Sequence, residues 1–197
     1  KDPVLNIKKI LKEKNKKLEN KMITEKYILG VGRLTKQKNF ILLLKFFIKL
    51  NKKYPEYKLY ILGEGEDRTL LNNIIKKNKL ETKAFLLGYQ DNTFKYLKYA
   101  NCFILSSLWE DPGFVLIEAG AMNVNIISSN CPNGPDEIIN NKDFLFTNDS
   151  PNDLLNKFEI FMKKTDKDLI NQQINVKKRI KFYTPFQHYK KLNLILT

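Results

Sequence analysis

The 197-residue sequence predicts a doubly wound α/β fold on a parallel sheet of about six strands, and three observations carry that expectation. Short runs rich in β-branched and aromatic residues alternate with longer runs of helical periodicity. The short runs lack the polar alternation of a half-exposed sheet, as suits central parallel strands covered on both faces. Glycine turns follow several of them, at the strand ends where such sheets gather their ligands.

The first expected strand, Lys26–Val31, runs into a glycine turn and then a helix near Phe40–Lys53. A second strand, Tyr57–Leu62, precedes a helix over Glu66–Asn78. In that helix Leu70, Leu71, Ile74 and Ile75 form one apolar stripe, with Arg68, Asn72, Asn73, Lys76 and Lys77 outside it. Strand Ala84–Leu87, helix Thr93–Ala100, strand Cys102–Leu105 and helix Phe114–Met122 follow. The alternation closes with strand Val124–Ser128, helix Pro135–Asn140 and strand Phe144–Phe146. A last helix should start at Ser150-Pro151: the serine caps, proline suits the first helical position, and Asp153 stands at the capping-box site. The expected organisation is a linker or leading helix over 1–25, a sheet domain over 26–165 and a helical extension over 166–197.

Composition narrows the function. With 43% hydrophobic residues the chain can bury a real core. Its longest apolar stretch, Phe40–Leu50, is broken by Lys45 and Lys49 and falls short of the ~18 residues a membrane span needs. The first twenty residues are too charged for a signal peptide. Cys102 and Cys131 lack CxxC spacing and read as reduced, buried thiols, which points to a cytoplasmic protein. The net charge is +14, yet only three of 35 basic residues are arginine (Arg33, Arg68, Arg179), and the lysines are scattered among Asn and Ile. The preferred reading is a solvated lysine surface; attraction to the cytoplasmic face of an anionic membrane comes second, and a nucleic-acid partner is not expected. The densest basic run, Lys8–Lys21, reads as an exposed helix or linker face.

The loops after the strands hold the chemistry. Gly30-Val31-Gly32-Arg33 permits a tight turn, and Arg33 and Lys38 flank the entry to a helix whose N-terminus already favours anions. A dinucleotide fingerprint would need its third glycine at Thr35; two cations at the turn suggest a diphosphate held by charge-assisted hydrogen bonds. Gly63-Glu64-Gly65 and Leu87-Gly88-Tyr89 make further turns, each of which by itself is more often structure than site. After the fourth strand, Glu110 and Glu118 are separated by seven residues, with Gly113 at a helix start where its N–H can face a phosphate. Glu118, about a turn into that helix among Val115, Leu116, Ile117 and Ala119, is placed to accept hydrogen bonds from vicinal hydroxyls. No Asp-x-Asp pair stands in a strand-end loop, so no metal is expected.

The ordered set Gly32-Arg33-Leu34 with Lys38, Gly63-Glu64-Gly65, Phe85–Tyr89, Glu110 with Glu118, and Cys131–Ile139 resembles the C-terminal domain of the family 4 retaining glycosyltransferases. That resemblance covers roughly Lys26 to Asp149 and implies the GT-B architecture, two facing Rossmann-like domains of which this is one half. It implies a nucleotide-sugar donor, UDP-linked ahead of GDP-linked, whose diphosphate is gripped by Arg33 and Lys38 beside the Gly32 and Gly63 turns. The Gly88-Tyr89 turn would meet the base, and Gly113, Phe114 and Val115 the phosphates. Glu110 would reach the transferred sugar and Glu118 the ribose, with Asn133, Gly134 and Glu137 bordering the cleft. Glu110, Arg33 and Lys38 would then be the catalytic set, stabilising the departing diphosphate without a metal.

The chain departs from the family pattern at Glu110-Asp111-Pro112-Gly113, which reshapes the loop over the sugar, and at Asn123-Val124-Asn125, which reads as drift. The family places an acceptor domain ahead of this stretch. The chain is therefore expected to be a fragment, inactive alone, whose glycan or lipid-linked acceptor binds through the other domain in surface polysaccharide biosynthesis. His188, the only histidine, reads as a packing or surface residue. A sugar-nucleotide epimerase or a nicotinamide-dinucleotide domain remains the alternative.

Overall fold

The computed structural model describes residues 22–111 and 113–183. Most of the expected leading segment, the basic run Lys8–Lys21, Pro112 and His188 lie outside the described residues.

Six strands form one all-parallel sheet in the order β3-β2-β1-β4-β5-β6. They are β1 Tyr27–Val31, β2 Lys58–Leu62, β3 Ala84–Leu86, β4 Cys102–Leu105, β5 Ile126–Ser129 and β6 Leu145–Phe146. The connecting helices are α1 Phe40–Lys53, α2 Arg68–Lys77, α3 Phe94–Tyr99, α4 Phe114–Ala121, α5 Pro135–Ile139, α6 Pro151–Lys163 and α7 Asp166–Ile180. Tyr27 to Val31 pair in register with Lys58 to Leu62, and Ile28 and Leu29 face Cys102 and Phe103, so β1 and β4 are the sheet's centre. Ile28, Leu29, Ile61, Phe103 and Ile127 are buried there, as the unalternating strand sequences require.

Helix placement follows from apolar stripes. α1 buries Phe40, Leu42, Leu43, Leu44, Phe46, Phe47 and Leu50 while Lys45 and Lys49 face solvent, and it packs between α2 and α6. Its seam with α6 is aromatic: the Phe46 and Phe158 rings lie 5.7 Å apart, and Tyr57 meets Phe158 edge-on at 5.5 Å. Across the sheet, α4 packs against α3, α5 and α7. Gly120 lets α7 come close: a Cβ there would sit 2.8 Å from Val176 Cγ1. Val176 and Ile180 are buried with the sheet's own residues in one core. None of the described helices is long and apolar enough to cross a membrane.

Several boundaries differ from expectation. β2 begins at Lys58, because Tyr57 N–H instead closes a turn onto the Tyr54 carbonyl at 3.2 Å. β3 ends at Leu86, β5 begins at Ile126, and Phe144 closes a 3-10 turn, Lys142–Phe144, instead of opening β6. Ser150 caps α6, accepting from Asp153 N–H at 3.2 Å, but the Asp153 carboxylate does not close the expected box; it accepts the Thr147 N–H at 2.7 Å. The complete capping box stands at α7, between Thr165 and Asp168.

Candidate functional site

The chain leaves β1 towards β2 but leaves β4 towards β5, so the strand order reverses between β1 and β4. In such sheets the crevice outside the carboxyl ends at that point is the ligand site. A cleft of about 350 Å³ opens there. Val31, Gly32, Gln37 and Lys38 wall it from the β1 side; Glu110, Asp111, Gly113, Phe114, Val115 and Glu118 wall it from the β4 side.

The β1 wall is a tight turn ending in the 3-10 turn Lys36–Lys38, whose left-handed Asn39 starts α1 and directs Lys38 across the cleft. The β4 wall is the loop Ser106–Glu110, tied from three sides. Ser106 Oγ donates to the Lys38 carbonyl at 2.7 Å, Leu108 N–H to the Gln37 carbonyl at 2.8 Å, and Asn148 Nδ2 to the Leu108 carbonyl at 2.9 Å. Glu110 N–H donates to the Pro132 carbonyl at 3.2 Å, which draws the segment after β5 against the loop.

Glu110 is only 3% exposed, and a buried carboxylate must be paired. Lys38 Nζ donates to both its oxygens, at 2.6 and 2.8 Å, and the Ser107 hydroxyl donates to Oε1. Glu118 differs: partly buried on α4, it has no hydrogen bond or ion pair among the described residues, and burial holds its carboxyl above the usual carboxylate range. Two acids in one cleft are thus in opposite states, one fully partnered and one with its oxygens free to accept. Gly113 caps α4 in the left-handed conformation without a side-chain cap. The first N–H groups of α4 lack intrahelical acceptors, and with the helix dipole they favour an anion at the β4-side wall of the cleft. Arg33 is exposed and makes no side-chain hydrogen bond or ion pair among the described residues. Cys131, buried behind Glu110, is raised by desolvation and is a poor nucleophile.

Of the residues singled out from the sequence, Gly32, Lys38, Glu110, Gly113, Phe114, Val115 and Glu118 meet in this cleft. Arg33 stands beside its wall, while Gly63, Gly88 and Tyr89 do not line it. Gly63 and Gly88 form an antiparallel bridge instead, Gly63 N–H donating to the Gly88 carbonyl at 2.8 Å, and Tyr89 projects from it 73% exposed. Asn133 and Gly134 adopt positive φ ahead of α5, and Glu137 accepts from the Tyr183 hydroxyl at 2.8 Å, outside the cleft. Sequence reasoning missed Gln37, Asp111 and Ser107. Gln37 and Asp111 carry no distinguishing pattern, whereas the serine pair directly after a buried strand was a legible polar signal. Among the described residues no three His, Cys, Asp or Glu side chains gather as metal ligands.

Comparison with known proteins places this geometry. Residues 11–179 match the model of the family described as Glycosyl transferases group 1. An uncharacterised glycosyltransferase of Methanocaldococcus jannaschii is 45% identical over 111 residues, 56% of this chain and 27% of that one. A Campylobacter jejuni N-acetylgalactosamine-N,N'-diacetylbacillosaminyl-diphospho-undecaprenol 4-alpha-N-acetylgalactosaminyltransferase is 36% identical over 66% of this chain and 34% of its own. Crystalline TarM superposes with a TM-score of 0.76 at 25% identity, covering 88% of this chain and 36% of TarM. A Staphylococcus aureus TarM complex with fondaparinux, alpha-GlcNAc-glycerol and UDP superposes at 0.66, with 25% identity over 80% of this chain and 31% of that one. The chain belongs to the group 1 glycosyltransferase family, and its fold is that of a GT-B Rossmann-like domain. It spans about a quarter to a third of the length of those two curated relatives.

Proposed function

We propose that the chain is the donor-binding half of a retaining glycosyltransferase that takes its sugar from a nucleotide sugar, a UDP-sugar before a GDP-sugar. One observation carries the reading: a single cleft at the reversal of strand order joins an uncapped helix N-terminus, a lysine, and two carboxylates in opposite hydrogen-bonding states. The diphosphate sits on the α4 N–H groups with Lys38 and Arg33 against its oxygens, the ribose hydroxyls donate to Glu118, and the transferred sugar lies against Glu110. As the glycosidic bond breaks, negative charge grows on the departing diphosphate, and the two cations and the helix dipole stabilise it. That TarM was crystallised with UDP supports the choice of nucleotide.

Retention follows the family resemblance. The acceptor, a glycan or lipid-linked glycan in surface polysaccharide synthesis, binds through a further domain; the lipid-linked substrate named for the Campylobacter relative supports that choice. The excess of lysine favours work at the cytoplasmic face of an anionic membrane. Isothermal titration with UDP, GDP and NAD tests the reading. UDP should bind, and at ~100 times its dissociation constant should add about 2.7 kcal/mol to folding stability. Binding of NAD with no heat from millimolar UDP would overturn it in favour of a dinucleotide domain.

A further inference from the structure

The donors to Glu110 differ in how they are held. Lys38 reaches the carboxylate on a flexible four-carbon stem and is itself part of the cleft wall. Ser107 is fully buried, reaches Glu110 from behind, and lies outside the cleft lining. Its carbonyl accepts from Ser129 Oγ at 2.6 Å, and the neighbouring Leu108 N–H is fixed to the Gln37 carbonyl at 2.8 Å. One donor can therefore swing and the other cannot.

On the functional reading above, the ligand's diphosphate at the α4 N-terminus carries more negative charge than Glu110 and lies within the reach of the same ammonium. Losing Lys38 would leave a carboxylate this buried short of partners, which is costly unless another donor stays. We infer that Ser107 is a positioning residue that keeps the Glu110 carboxylate bonded and aimed into the cleft while the diphosphate draws Lys38 away. The cost of the exchange then appears in the affinity of any ligand that carries the diphosphate, although Ser107 touches none of it. It does not appear for a ligand without phosphates.

Isothermal titration of the 197-residue chain with UDP and with uridine tests this. Ser107→Ala should weaken UDP about tenfold, the loss expected when a hydrogen bond to a charged group disappears, and leave uridine within about twofold. Ser107→Thr, which keeps the hydroxyl, should restore most of the UDP affinity. In a Glu110→Gln background, where no charge has to be kept company, Ser107→Ala should cost UDP less than about twofold. If Ser107→Ala does not fold, Ser107→Cys, of similar size with a weak donor, takes its place with the same expected loss. Equal losses for uridine and UDP, or a UDP loss that persists with Glu110→Gln, would overturn the assignment and leave Ser107 a packing residue. A wild-type chain that binds UDP while Ser107→Ala binds it equally well sinks the serine's role alone. A wild-type chain that takes no UDP at all sinks the donor-site reading and this inference with it.

Discussion

The carbonyl oxygen of Gly32 fills the space a side chain on Gly63 would need: a Cβ on Gly63 would lie 1.9 Å from it. Gly32 N–H donates to the Leu62 carbonyl at 3.0 Å and Leu34 N–H to the Glu64 carbonyl at 2.9 Å, so the turns after β1 and β2 are laced together. With φ at +134°, Gly63 also holds a conformation L-residues rarely adopt. Gly63→Ala must push the Gly32 turn, one wall of the cleft. Urea unfolding should show a loss of at least about 1–3 kcal/mol, the usual cost of such backbone strain, and titration should show weakened UDP binding. Unchanged UDP affinity would mean that the turn is not part of the site.

Arg33 and Lys38 should separate in stability while agreeing in binding. Either change to Ala removes a charged hydrogen bond worth roughly 1.5–3 kcal/mol from a diphosphate, with uridine nearly indifferent. Arg33→Ala should leave folding stability within about 0.5 kcal/mol, because its guanidinium has no partner among the described residues to abandon. Lys38→Ala should cost about 1–3 kcal/mol, since it strips two hydrogen bonds from buried Glu110. Equal stability for the two variants contradicts the ion pair.

The glutamates should divide the donor between them. Glu118→Ala should weaken UDP itself, whereas Glu110→Ala should leave UDP within a few-fold and erase the preference for the intact sugar nucleotide. Titrations with UDP and UDP-N-acetylglucosamine compare them; equal damage to UDP binding from both changes would mean that the pair acts as one structural unit.

Glu118 also predicts a pH dependence. Burial raises its carboxyl above the ordinary value of 4.5, so the folded chain keeps that proton to higher pH than the unfolded chain does. Ionisation therefore costs the folded state. Relative to Glu118→Gln, the wild type should lose stability as pH rises through 4.5, with the difference levelling once the folded value is passed. Urea midpoints of the two proteins at pH 4 and pH 7 check the sign.

Both thiols should be silent in the native state. Cys102 and Cys131 are buried, and desolvation raises each of them. A disulfide reagent should find no reactive thiol in the folded chain and two after unfolding. Rapid native labelling of Cys131 would show that the wall behind Glu110 opens.

The sheet was legible because each strand is an unalternating apolar run and each helix carries its own stripe; Lys45 and Lys49 alone orient α1. Boundaries were less so, since Tyr57 and Phe144 are good strand formers recruited by local turns. Within the site, the residues with intrinsic chemistry, Lys38, Glu110 and Glu118, announced themselves. Ser107 was legible only as a polar residue after a buried strand; its bond to Glu110 arises only when the loop folds and β4 and β5 lie side by side, with Ser129 fixing its carbonyl. Gly63 was legible only as a turn: a glycine needed for close loop approach and one needed for a ligand look alike in sequence, and the Gly32 carbonyl that closes on Gly63 appears only in the fold.

The two ends of the ion pair across the cleft stand 72 positions apart in the chain. A ribosome that has delivered β1, β2 and β3 has made Arg33 and Lys38 but neither carboxylate nor the N-terminus of α4. If the cleft holds a nucleotide as proposed, affinity for it arrives late in synthesis, after the chain has crossed back over β1 to lay down β4. Nucleotide added to a refolding mixture should accordingly leave the folding rate unchanged and slow only the unfolding rate, since nothing that binds it exists before the halves of the sheet have closed.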